Sequence, residues 1–216
     1  MSSSASDQIP PRSTYVGLFL TTLSLLQLEL FLTRIFSVTM WYHFAFMAIS
    51  LAMFGLAAGA VLVELLKKRD VYVSLELAAL GFAMTTIVCF AAQLRIPVDP
   101  ERSIGLTALA FLLITIPFVL AGVVICIALT RFPAHTGALY AADLAGSAFG
   151  CILTIPILNS IHAPSAVILN AGIAMLAVAA FGMPNRRARY AIPVAALLAV
   201  LALVNASTKT VDIYWM

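Results

Sequence analysis

Charge is what this chain has least of. Nine Asp and Glu and twelve Lys and Arg amount to 10% of its 216 residues, against 63% hydrophobic residues. A water-facing domain typically carries about 25% charged residues, because solvent has to cover it. Folded in water, this chain would leave large apolar areas bare and aggregate. Cysteine is scarce too: Cys89, Cys126 and Cys151 all fall inside apolar runs, without CxxC spacing. They read as small packing residues, and no disulfide framework or redox compartment follows from them. GxGxxG, P-loop, GxSxG and HExxH motifs are all missing, and no polar stretch is long enough for a nucleotide-binding domain. Soluble enzymology is therefore not encoded, and no cofactor or metal is expected. The net charge of +3 comes from cations scattered between apolar runs, which excludes a nucleic-acid surface.

What the chain does have is long apolar runs. A bilayer-spanning helix needs roughly 20 apolar residues at 1.5 Å rise, and it bonds every backbone group internally. Seven stretches qualify: 15–36, 43–66, 73–94, 104–129, 137–158, 163–182 and 190–205, the last being short. The expected fold is all-α, a polytopic transmembrane bundle of about seven spans covered by the lipid bilayer. The Ser-rich residues 1–14 read as a disordered tail, and 206–216 as a C-terminal tail. A secretory signal would place a shorter apolar core nearer the start, so the first run is expected to be retained. Pro117, Pro156 and Pro193 lie within or near the ends of runs, where membrane helices tolerate a kink.

Loop charges set the expected sidedness. With the N-terminus cytoplasmic, the inner side collects Arg12, Lys67, Lys68, Arg69, Arg131, Arg186, Arg187 and Arg189. The outer side collects Arg34, Arg95, Arg102 and Lys209. Eight against four predicts a multi-pass protein of the bacterial inner membrane, N-terminus inside. The C-terminus is then outside, or inside if the last span is not real. Trp41, Tyr42, Tyr72, Tyr190, Tyr214 and Trp215 fall at predicted helix ends, as headgroup-level rings do.

Two GxxxG motifs, Gly55–Gly59 in the second run and Gly146–Gly150 in the fifth, predict close helix approach. Packing within the chain is preferred over dimerisation. Leu32-Thr33-Arg34 closes the first run and Leu129-Thr130-Arg131 the fourth, each followed by an aromatic-bearing loop and a GxxxG run. The pattern suggests a three-helix repeat whose copies face opposite ways, an arrangement typical of secondary transporters.

Ionisable groups within spans cost at least ~2.5 kcal/mol and so mark candidate sites. Glu29 lies inside the first run, five residues before Arg34; Asp143 lies inside the fifth, near Tyr140. Two roles stay open: a proton, cation or substrate-amine contact, or a hydrogen bond that fixes helix packing. His43, His135 and His162 sit at span ends and read as interfacial rather than as metal or haem ligands. Asn159 and Asn170 read as helix-end and interhelical hydrogen bonders.

Two segments carry a family resemblance. One runs from Glu29-Leu30-Phe31-Leu32-Thr33-Arg34 through Trp41-Tyr42-His43-Phe44 to Met53-Phe54-Gly55. The other is Leu139-Tyr140-Ala141-Ala142-Asp143-Leu144-Ala145-Gly146-Ser147-Ala148-Phe149-Gly150-Cys151. Together they resemble the N-terminal membrane region of bacterial membrane-bound, spermidine synthase-like proteins. There a multi-helix region precedes a Rossmann-type aminopropyltransferase-like domain, which has no counterpart before Met216, so no catalytic residue carries over. The membrane region is also similar to half of a major facilitator-type transporter. The resemblance implies a membrane module: an anchor and a conduit for a small amine or related metabolite, with Glu29, Arg34, His43, Tyr140 and Asp143 as polar contacts. The alternative is a structural subunit that joins a homo-oligomer or larger membrane complex through its GxxxG faces. An intramembrane enzyme would have only Glu29, Asp143 and His43 to work with.

Overall fold

The computed structural model describes residues 9–39, 43–69, 71, 73–95, 104–182 and 188–208. The side chains of Thr39, His43, Ile104, Ala188, Arg189, Ser207 and Thr208 lie outside that description. So do Trp41, Tyr42, Tyr72, Arg102, Arg186, Arg187, Lys209, Tyr214 and Trp215, whose sequence readings were given above.

Among the described residues, seven α-helices follow one another: α1 Arg12–Thr39, α2 His43–Lys68, α3 Leu75–Arg95, α4 Ile104–Arg131, α5 Thr136–Ser160, α6 Ala163–Gly182 and α7 Ala188–Thr208. Among the described residues there is no strand. Six helices are long and apolar enough to cross a membrane, and the apolar stretch of α7, Tyr190–Ala206, is shorter. The architecture is an all-α, multi-pass transmembrane bundle. Local chemistry sets the ends. α1 starts at Arg12, so residues 12–14 are helix rather than tail. Pro11 immediately precedes it, where a pre-set φ helps and a missing N–H costs nothing. Ser74 accepts the Leu77 N–H at 3.2 Å and caps α3. Lys67 and Lys68 close α2, where cations suit the carbonyl end. Pro117, Pro156 and Pro193 all lie within helices.

Neighbour pairs fix the direction of each helix. Gly55 lies against Phe118 and Val119 and Gly59 against Val119 and Gly122, so α2 and α4 run parallel. Gly146 lies against Phe19 and Thr22 and Gly150 against Leu23, so α1 and α5 run parallel. Gly17 meets Phe181 while Ser24 meets Asn170, which makes α1 and α6 antiparallel. α6 and α7 are antiparallel as well, with Asn205 on Ser165 and Gly172 beside Ala195. Successive helices therefore alternate in direction. Arg12, Lys67, Lys68, Arg69 and Arg131 gather at one end of the bundle, called here the basic end, and Arg34 and Arg95 lie toward the other.

The packing pattern has an internal equivalence. α1 packs most extensively on α5 and α6, and α4 on α2 and α3; α1 also meets α4, and α3 meets α6. Exchanging α1-α2-α3 with α4-α5-α6 swaps α1·α5 with α4·α2 and α1·α6 with α4·α3, and leaves α1·α4 and α3·α6 as they are. Because α1 and α4 run in opposite directions, the two halves are inverted relative to each other. α7 stands outside this exchange and covers α6. The shared tripeptide is not at equivalent helix ends: Leu129–Arg131 closes α4, whereas α1 continues five residues beyond Arg34. Ile35 and Phe36 are buried in the core, which carries that helix onward.

The exterior is apolar, as lipid requires: Phe46, Met53, Phe54 and Val61 on α2 and Leu144, Phe149, Ile152 and Ile155 on α5 are all exposed. The glycines do the close packing. A Cβ on Gly59 would meet the Val119 carbonyl and the backbone of Gly122 and Val123. Backbone cannot step aside as a side chain can. Gly59→Leu is therefore expected to lower stability by about 3 kcal/mol, the upper end of overpacking costs. A Cβ on Gly137 meets nothing within 4 Å, so Gly137→Ala should be neutral or slightly stabilising. Thermal unfolding in mild detergent compares the two; equal effects would refute the packing account.

Candidate functional site

Lipid gives a buried polar group no water to fall back on, so the polar side chains inside this bundle need explaining one by one. Most are satisfied locally. Thr21, Thr86, Thr115 and Thr154 each return a hydroxyl to a carbonyl four residues earlier, at 2.8, 2.8, 3.0 and 2.8 Å. A few reach across helices. Ser24 Oγ donates to the Asn170 carbonyl at 3.2 Å, and Asn170 Nδ2 donates to the Ser24 carbonyl at 2.9 Å. This reciprocal pair ties α1 to α6 and therefore joins the two inverted halves. Farther from the basic end, Asn205 Nδ2 donates to Ser165 Oγ at 2.9 Å and ties α7 to α6.

Gln27 is different. It is fully buried, and among the described residues neither Nε2 nor Oε1 has a hydrogen-bond partner. It lies one turn beyond Ser24 on α1, about 4.5 Å along the axis. Asn170 Oδ1 in the neighbouring pair is also buried without a partner. An orphaned buried polar group costs about 1–3 kcal/mol, so two such groups a turn apart are an expensive arrangement. Ser24 and Gln27 straddle the middle of α1, which spans Arg12–Thr39. The cluster thus sits near mid-depth of the bundle, on the contact between its halves. It offers two amide groups with unused donor and acceptor capacity and no net charge.

The residues singled out from sequence do not converge. Glu29 is half-buried on α1, two residues past Gln27 and so on a different face; its carbonyl accepts the Thr33 hydroxyl at 2.8 Å. Arg34 is exposed, and among the described residues no ion pair joins it to Glu29. Asp143 is half-buried on α5, and its carbonyl accepts the Thr22 hydroxyl at 3.0 Å. Since α1 and α5 run parallel and Thr22 is level with Asp143, Glu29 stands seven residues higher, about 10 Å away along the axis. Tyr140 is exposed on the apolar side of α5. His43 opens α2, and its side chain lies outside the described residues. Among the described residues no three of His, Cys, Asp or Glu gather as metal ligands would.

Sequence reading passed over Ser24 and Gln27 because it searched for charge. The signal was nonetheless present: Thr21, Thr22, Ser24 and Gln27 put four polar residues within seven of the first apolar run. Between α1, α3 and α4, a void of about 10 Å³ is bounded by Leu28, Leu32, Thr86, Cys89, Phe90, Ile114 and Pro117, enough for one water at most; none of Ser24, Gln27 and Asn170 lines it. Comparisons with protein-family models, with curated proteins and with solved structures find no match to this chain.

Two measurements test the cluster. Single and double Ala variants of Ser24 and Asn170 should show a coupling of about 0.6–1.7 kcal/mol, the range for interhelical hydrogen bonds in lipid. Gln27→Leu removes an orphaned amide and should leave the unfolding midpoint unchanged or raise it. A fall of several degrees would mean that the amide has a partner in the resting protein.

Proposed function

We propose that the chain is a transporter-like membrane module whose two inverted three-helix halves pass a small hydrogen-bonding solute, an amine or related metabolite, across the bilayer. One observation carries the reading: Gln27, fully buried at mid-depth on α1 with neither amide atom partnered, stands beside the contact between the halves. Transporters built from inverted repeats place their substrate near the midplane, at the repeat interface. A binding amide is costly while empty, and that cost is recovered when a ligand supplies its hydrogen bonds. The void between α1, α3 and α4 is too small for a solute. Passage therefore requires α1 to part from its neighbours, and the reciprocal Ser24–Asn170 bonds are the contacts such a movement breaks. Glu29 and Asp143, at different depths, serve as successive contacts for a cationic amine on its way to and from the cluster.

In the same reading the basic end faces the cytoplasm of a bacterial inner membrane, because Arg12, Lys67, Lys68, Arg69 and Arg131 follow the positive-inside bias. Membership among the spermidine synthase-like membrane proteins rests on the Glu29–Gly55 and Leu139–Cys151 segments. It makes the bundle an anchor as well as a conduit.

A second reading, a structural subunit of a larger complex, has a specific observation in its favour. α2 and α5 are the least covered spans of the bundle. Docking through the GxxxG faces is disfavoured, since all four glycines are buried against α4 and α1 of the same chain. A partner would have to use the opposite side of α5, around Leu144, Ile152 and Ile155.

Flux in proteoliposomes, measured with a radiolabelled polyamine set, decides between the readings. Gln27→Leu should lower flux at least tenfold while yield and unfolding midpoint hold, and Asp143→Asn should lower it less. Transport at the wild-type rate by Gln27→Leu refutes the conduit. Lack of any flux, together with a partner that co-purifies in mild detergent, favours the subunit.

A further inference from the structure

The last turns of α2 and α4 end side by side at the basic end, and Val71, Val73 and Ser74, between α2 and α3, lie against them. Between these three segments lies a groove of about 530 Å³. Its walls are apolar, formed by Val63, Val71, Val73 and Ile127, and its charged lining is Lys67 and Arg131. Ser74, at the start of α3, adds a hydroxyl whose oxygen already accepts the Leu77 N–H, leaving its proton free to donate. Lys67 is the next-to-last residue of α2 and Arg131 the last of α4. The groove therefore straddles the depth at which hydrocarbon gives way to headgroups. Leu62 and Leu65, on the same closing turns of α2, are exposed apolar side chains.

From this geometry we infer that the groove is a binding site for one anionic phospholipid of the leaflet at the basic end. Its phosphate lies between Lys67 and Arg131, and its glycerol and upper acyl carbons lie on the valine and isoleucine walls. Charge complementarity commits the site to this occupant. A soluble anion would leave the apolar walls bare, and a zwitterionic lipid would bring its own cation against two cations. Basic recesses between spans recognise anionic headgroups for this reason. The cations also suit the carbonyl ends of their own helices, which is the competing explanation for their presence. That role, however, needs neither a shared recess nor apolar walls. Among the described residues, carboxylates stand nearby without lining the groove: Glu64 lies one turn before Lys67 on α2, and Glu76 lies in the first turn of α3; Asp70 lies outside the described residues. Neither Lys67 nor Arg131 makes an ion pair among the described residues. Lys68 and Arg69, both exposed, extend the positive field around the mouth.

The inference depends on the bundle lying in a bilayer and not on the transport reading, so it survives if flux is never found. Its test is retention of phosphatidylglycerol over phosphatidylcholine, read by native mass spectrometry on protein released from mixed nanodiscs. Wild type should keep one phosphatidylglycerol preferentially. Lys67→Gln or Arg131→Gln alone should weaken retention about fivefold, and the pair about thirtyfold, from the usual worth of a basic residue at an anionic headgroup. Arg95→Gln, at the other end, should change nothing, and millimolar inorganic phosphate should not displace the lipid. The site is refuted if wild type shows no preference, if Arg95→Gln loses as much as the pair, or if inorganic phosphate competes. Should the double variant fail to fold, the wild-type preference and the two single variants decide the matter.

Discussion

Backbone meeting backbone at four glycines is the contact on which this bundle is built. Lipid tails are as apolar as leucine, so no hydrophobic effect drives one span onto another, and close packing has to supply the attraction. At Gly55 and Gly59 on one side and Gly146 and Gly150 on the other, even a single added carbon would strike the neighbouring main chain. Gly122 completes the first of these seams from the α4 side, against Leu56. Each seam joins a peripheral helix to a central one, α2 to α4 and α5 to α1. The outer faces of α2 and α5 are thereby left to lipid. α1 and α4 become the axis around which the two inverted halves are arranged, and everything polar in the interior inherits its position from them.

Polar groups then divide by what the packing leaves available. Most buried threonines are self-sufficient, since a hydroxyl folded back on its own helix asks nothing of a neighbour; Thr22, which also reaches the Asp143 carbonyl on α5, is an exception. Ser24 and Asn170 exchange two hydrogen bonds and so pin α1 to α6 at one depth, which also sets the register between halves. Gln27 gains nothing from either solution. Its amide does not return to its own helix as a threonine hydroxyl does, and among the described residues no opposing group meets it. A glutamine in that place either costs stability to no purpose or waits for something that is absent when the halves are closed. The transport reading takes the second view.

How much of this was legible beforehand follows from periodicity and chemistry. Apolar runs about as long as a bilayer is thick announce helices without any knowledge of packing. The helices overlie those runs closely; α4, for instance, covers Ile104–Arg131 where the run was 104–129. The GxxxG spacing announces close approach but names no partner, because a glycine pair fits any smooth helix face. Only the fold assigns α4 to one motif and α1 to the other. The three-helix repeat was suggested by a tripeptide that does not occupy equivalent helix ends, yet the helices pack as such a repeat would. Sequence similarity between the halves is faint because packing needs only small residues at the crossings. Asn170 was legible as an interhelical hydrogen bonder, and it is one; Gln27 was not, because hydropathy and charge counts both pass over a neutral glutamine, although burial makes it expensive.

The positions of charge and amide in the bundle follow one energetic ordering. A carboxylate at mid-membrane costs at least ~2.5 kcal/mol on the lenient scale and far more where water cannot reach it. A neutral amide without partners costs about 1–3 kcal/mol. The fully buried place at the centre of α1 is accordingly held by Gln27, while Glu29 and Asp143 remain half-buried on faces that keep a route outward. In the transport reading, such an arrangement would select by hydrogen-bond geometry at its centre and by charge along its approaches. A solute that is cationic in water would then meet carboxylates first and amides last, shedding water in stages instead of at a single depth. That ordering needs no ion pair inside the bundle, and none joins Glu29 or Asp143 to a cation among the described residues.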